Sequence, residues 1–112
     1  MSRPHTFYKV EKKSAEITGT GTVIWDPADN KRFILTDLIL NVTAAATVTI
    51  FDETDSTARL DLRIFKGDLA AKQTEKFTFE SSGFPSDAQN NILRGTTTAG
   101  TLYVTAIGYE DN

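Results

Sequence analysis

The sequence predicts an all-β domain: a single antiparallel β-sandwich of about eight strands, jelly-roll-like, with an extended N-terminal arm. Three observations predict it. Short segments alternate apolar and polar residues with the period of a strand, and turn signals separate them at fairly regular spacing. The chain's 17 threonines lie mostly within those segments, where a β-branched side chain fits the pleat. At 112 residues the chain is one domain, divided into an arm over 1–9 and a sandwich over 10–112.

Taken in order, Met1 to Thr6 has no apolar periodicity and contains Pro4. Phe7 to Thr18 is a polar strand, and Lys12 and Lys13 suit an edge position, where charge discourages unwanted pairing. Gly19 to Gly21 is a turn, and Thr22 to Trp25 a second short strand. Asp26 to Asn30 is a strong turn, because proline fixes one torsion while Asp and Asn side chains bond nearby backbone.

Lys31 to Val42, KRFILTDLILNV, is the longest apolar run and the central strand. Phe33, Leu35 and Ile39 fall on one parity; Ile34, Leu38, Leu40 and Val42 fall on the other. Thr36-Asp37 interrupts the run and predicts a bulge or a switch of face. Left as two rows, the pattern requires a cover for Phe33, Leu35 and Ile39: the chain's own loops, or a second copy.

After a small-residue loop at 43–46, Thr47 to Phe51 points Val48 and Ile50 inward. Asp52 to Ser56 is a polar loop. Arg59 to Phe65 sets Leu60, Leu62 and Ile64 against an outer row of Arg59, Asp61 and Arg63. Lys66-Gly67-Asp68 ends that strand, and Asp68 could cap one helical turn to Gln73. Lys76 to Glu80 is short, with Phe77 and Phe79 inward. Ser81 to Asn91 is irregular around Gly83-Phe84-Pro85. Ile92 to Thr98 and Thr101 to Tyr109 read as a hairpin, with Leu102, Val104 and Ala106 on one side of the last strand.

Composition narrows the chemistry. There is no cysteine, hence no disulfide, thiolate metal site or cysteine nucleophile. The only histidine, His5, sits in the arm beside Pro4, a poor base for a nucleophilic triad. No carboxylate pair stands in a recognisable site. Asp52-Glu53-Thr54-Asp55 lacks the glycine and distal Glu of a calcium loop and reads as a hydrated acidic tip. Thr18 to Gly21 lacks the lysine and strand-to-helix context of a phosphate cradle. The expectation is no enzyme, no cofactor and no metal site.

No apolar run approaches a membrane span, and MSRPHTFYKV has no signal-peptide core, so a soluble product of the cytoplasm and no membrane partner are expected. The net charge of −3 argues against nucleic acid as a partner. The charge is uneven: Arg3, Lys9, Lys12 and Lys13 against Glu11 make residues 1–13 locally +3, leaving −6 elsewhere. Either the arm is a solvated tail or it lies on an acidic neighbour.

The surface signal is aromatic. Tyr103, Ile107 and Tyr109 share the face of the last strand opposite Leu102 and Val104, and contiguous exposed apolar surface with tyrosine marks protein interfaces and sugar-stacking platforms. A neighbouring loop could also cover this row. Trp25 fits either a sugar platform or the core, and Phe84 either anchors in a partner's pocket or plugs its own sandwich. The candidate partner-binding set is Arg3, His5, Phe7, Tyr8, Lys9, Phe84, Tyr103, Ile107 and Tyr109.

KRFILTDLILNV, the small-residue loop, TVTIFD and the closing GTLYVTAIGYE together resemble small β-sandwich structural proteins of tailed bacteriophages. Over roughly residues 20–110 they are most similar to the decoration (cement or staple) proteins that clamp the outside of a capsid; related strands also occur in neck, tail and fibre-attachment proteins. The resemblance implies a virion structural protein, made in the host cytoplasm, that binds the major capsid protein and bridges neighbouring subunits after the shell expands. It also implies a homo-oligomer, dimer or trimer, matching lattice symmetry, and no small-molecule ligand. The alternatives are a carbohydrate-binding module using Tyr103, Tyr109 or Trp25, and a tail or neck adaptor.

Overall fold

The computed structural model describes residues 9–19, 22–53, 63–79 and 83–111. They form nine strands and no helix: β1 (Glu11–Ile17), β2 (Thr22–Trp25), β3 (Arg32–Val42), β4 (Ala46–Glu53), β5 (Arg63–Leu69), β6 (Thr74–Thr78), β7 (Phe84–Pro85), β8 (Ile92–Thr97) and β9 (Leu102–Asp111). The first sheet runs β1-β9-β3-β6, with β7 also pairing β3; the second runs β2-β8-β4-β5. Every pairing is antiparallel. This interleaved order is that of a jelly roll.

Most connections leave one sheet for the other. The expected hairpin at 98–101 is such a crossing: β8 lies between β2 and β4, and β9 lies between β1 and β3. The arch is tight. Gly100 takes φ 62°, and the Thr101 N–H donates to Thr43 Oγ1 at 2.9 Å, docking the arch on the 43–45 loop. The arch puts β8 and β9 in opposite sheets, each between two neighbours, and turns their apolar faces toward each other across the core.

The core lies between the sheets and includes Ile17, Trp25, Phe33, Leu35, Leu38, Leu40, Val42, Val48, Ile50, Leu93, Leu102, Val104 and Ala106. The expected switch of face in β3 is present as a register shift between Leu35 and Asp37 against β9. It brings Phe33 and Leu35 onto the same side as Leu38, Leu40 and Val42, all fully buried. The two apolar rows are therefore one row with a bulge in it. What remains outside is Ile39, half-buried, and Ile34, buried; Gly83 lies against the Ile34 side chain. The case for a second copy covering Phe33 and Leu35 falls with that geometry. Thr36 Oγ1 donates to Ile107 O at 3.1 Å and Thr78 Oγ1 donates to Asp37 Oδ1 at 3.2 Å, holding the bulge between two neighbours.

Two other expectations shift. Lys66-Gly67-Asp68 does not end a strand but lies inside β5, and no helical turn follows it. Asp68 accepts a 2.6 Å hydrogen bond from Thr47 Oγ1 across the β4–β5 ladder instead of capping a helix. The reversal comes later, at Ala70–Gln73, where Lys72 takes φ 65° and Gln73 Oε1 accepts the Ala70 N–H. The outer row expected of Arg59, Asp61 and Arg63 lies outside the described side chains.

The lateral sides of the sandwich are closed differently. Phe65 of β5 meets Phe77 of β6 with ring centroids 4.9 Å apart, and Phe79 meets Phe84 at 5.5 Å. At the other side β1 faces β2, with Trp25 buried and Lys13 Nζ 5.9 Å from its ring centroid.

Candidate functional site

The outer face of the first sheet is built by alternation. On β9, Leu102, Val104, Ala106 and Gly108 point inward and are buried, so Tyr103, Thr105, Ile107 and Tyr109 must point outward. Tyr103 is 44% exposed; Ile107 and Tyr109 are half-buried. Register sets their neighbours. Tyr103 lies between Glu16 of β1 and Asn41 of β3, Ile107 between Lys12 and Asp37, and Tyr109 beside Ile34. Directly opposite residues share a face, so the aromatic strip is flanked by polar groups along most of its length.

Beside Tyr103 the sheet forms an open depression of 460 Å³ lined by Ser14, Ala15, Glu16, Tyr103, Val104 and Thr105. Tyr103 and Thr105 present one aromatic and one hydroxyl there, and Glu16 one carboxylate. The arrangement can seat an extended segment or a side chain from a partner.

The sequence candidates separate. Tyr103, Ile107 and Tyr109 do share one face. Phe84, 37% exposed, is elsewhere: it pairs with the inward-facing Leu35, and its ring rests on Phe79, so it lines the side of the core layer. Lys9 is exposed just ahead of β1. Arg3, His5, Phe7 and Tyr8 lie outside the described residues.

Trp25 cannot serve a sugar platform. It is 1% exposed, stacked on Phe33 at 6.0 Å, and its indole Nε1–H donates to Glu110 Oε2 at 2.8 Å.

Asp52 is not part of a hydrated tip. It is a buried carboxylate at the end of β4, with Ser86 Oγ 2.9 Å from Oδ1 and the Asp87 N–H donating to Oδ2. Ser86 Oγ also lies 3.0 Å from Ala88 O. One hydroxyl proton serves one of those acceptors at a time, Asp52 Oδ1 or Ala88 O. Among the described residues no group of three acidic or histidine side chains could hold a metal ion.

Burial pushes the Asp52 carboxyl above its ordinary value of 3.8, against the opposing hydrogen bonds from Asp87 N–H, Ser86 and Asn91 and with a small upward push from the Asp87 charge. A carboxyl that binds its proton more tightly when folded contributes stability below 3.8, and that contribution is lost as pH rises through the raised value. Asp52→Asn removes the titrating carboxyl. Its stability relative to the parent should therefore climb as pH rises from about 3 to about 7, read by urea unfolding at each pH. Parallel pH profiles would show that Asp52 does not titrate in this way.

Compared with protein-family models and with curated protein sequences, the chain has no significant match.

Proposed function

We propose that this jelly roll is a non-enzymatic structural protein of a virion, which binds the outer surface of a capsid and stabilises it by bridging neighbouring subunits. The observation that carries the reading is the outer strip of β9, where Tyr103, Ile107 and Tyr109 form one aromatic-apolar row with a polar border. Aromatic residues in a polar surround are what recur at protein interfaces. The similarity of KRFILTDLILNV, TVTIFD and GTLYVTAIGYE to phage decoration proteins supplies the choice of partner, the major capsid protein.

The physical benefit is additive. A clamp that touches two subunits makes opening a joint also break the clamp, and many copies convert modest contacts into large total stabilisation. A β-sandwich suits the task because its broad outer face presents side chains on a rigid ladder.

Co-purification with particles, and the copy number per particle, test this directly. The double variant Tyr103→Ser, Ile107→Thr should fold as the parent does and lose capsid binding by at least about tenfold, since central interface side chains carry roughly 1–4 kcal/mol each. Undiminished binding of that variant removes the β9 strip from the interface. Binding to tails rather than shells replaces capsid decoration with the adaptor reading, and glycan-array hits without particle binding favour the carbohydrate reading.

A further inference from the structure

We propose that β1 is a self-association edge: two copies pair antiparallel through it about a twofold axis at Ser14, fusing their first sheets into one. The inference rests on β1 and stands independently of the capsid reading. β1 ends the first sheet and is hydrogen-bonded on one side only, to β9, among the described residues. Its other side therefore presents, among the described residues, a row of backbone donors and acceptors with no ladder partner, the standing template for another strand.

The sequence EKKSAEI then selects the partner. Lys12, Ser14 and Glu16 are exposed and share the outer face, while Glu11, Lys13 and Ala15 turn the other way and are half-buried. Lys13 and Glu11 are already engaged, forming an ion pair at 3.1 Å. Lys12 and Glu16 bond to no described residue. Charge on an edge strand ordinarily repels a second strand, but here the repelling charge has its complement four residues on. Antiparallel pairing about Ser14 places Lys12 opposite Glu16 of the second copy, and Glu16 opposite its Lys12. Ser14 faces Ser14, Lys13 faces Ala15, and Glu11 faces Ile17. No like charges meet.

Neighbouring twofold registers fail this condition. An axis at Lys13 sets lysine against lysine, and one at Lys12 does the same. An axis at Ala15 leaves Lys12 opposite Thr18 and Glu16 opposite Ser14, with no ion pair. In the Ser14 register one outer row crosses the joint unbroken: Asn41, Tyr103 and Glu16 of one copy, then Lys12, Ile107 and Asp37 of the other. The depression beside Tyr103 thus comes to lie at the rim of the joint, with the second copy's Lys12 beside its carboxylate.

Charge reversal on the full chain tests the register. By sedimentation equilibrium the parent is expected to be a dimer. Lys12→Glu and Glu16→Lys should each weaken the dimer at least tenfold, because each turns two attractive facings into two repulsive ones. An equimolar mixture of the two variants should recover it as a heterodimer, since every facing charge in the mixed pair is again opposite. Because the chain has no cysteine, Ser14→Cys adds a single thiol at the axis, and mild oxidation should trap a covalent dimer seen by mass. A monomeric or trimeric parent, single variants that dimerise as the parent does, a mixture that stays monomeric, or no oxidative cross-link overturns the proposal.

Discussion

Gly108→Ala is expected to destabilise the domain by about 3 kcal/mol or more, out of a total that for such domains is about 5–15 kcal/mol. A Cβ at Gly108 would lie 1.9 Å from Ile34 O and 2.9 Å from the carbon that carries it. Both are backbone atoms, so no rotamer change relieves the clash; β3 and β9 would have to part. They would part at the bulge, where Leu35 pairs with Gly108 and Asp37 with Ile107. The damage should therefore reach the side chains the bulge turns inward, Phe33 and Leu35. Gly19→Ala is the control, because nothing stands within 4 Å of a Cβ there. Urea unfolding of both variants decides: equal midpoints would mean that the close approach of β3 to β9 relaxes at no cost.

Trp25→Ala should cost about 3–5 kcal/mol, the usual range for emptying a large aromatic site. Trp25 does more than fill space. Glu110 takes the indole N–H on Oε2 and the Ala28 N–H on Oε1 at 3.2 Å, so one carboxylate ties β9 to the end of β2 and to the turn beyond it. Trp25→Phe keeps much of the volume but removes the donor, and should cost about 1.5–3 kcal/mol, the worth of a hydrogen bond to a charged group. Glu110→Gln should restore part of that loss in the Phe background, because a neutral acceptor is cheaper to leave unpaired. Circular dichroism during urea unfolding reads all four proteins; a Phe variant as stable as the parent would show that the Trp25–Glu110 bond contributes nothing net.

Features carried by short-range pattern were legible before any coordinates. The strands β2, β3 and β4, the inward set of β9 and the break at Thr36-Asp37 all follow from alternation and from polar residues interrupting an apolar run. The outward strip Tyr103, Ile107 and Tyr109 follows from the same parity. What pattern could not supply was the partner of each strand. Nothing local distinguishes a hairpin at 98–101 from an arch, because the choice depends on β1, β2, β3 and β4 flanking β8 and β9. Trp25 finds Glu110 across most of the chain, and Asp52 finds Ser86; both pairings are consequences of topology, so a buried acid read as a loop tip. The bulge shows how one residue changes meaning: read flat, β3 has two apolar rows in need of two covers, and read with Thr36 as an extra residue it has one. The arm residues among the site candidates rested on charge and composition, which carry no placement.

The order β1-β9-β3 also dictates when this protein can fold. β9 is the last strand of the domain and occupies an interior place in its sheet, between strands that precede it by most of the chain length. During synthesis β1 and β3 leave the ribosome with no neighbour to join them, and the sheet closes only after residue 111 is free of the exit tunnel. Pairings of such long sequence separation fold slowly, and the waiting chain shows two unpaired edges to its surroundings. Early truncation of β9 therefore leaves a sheet with a gap at its centre rather than a shorter version of the same molecule.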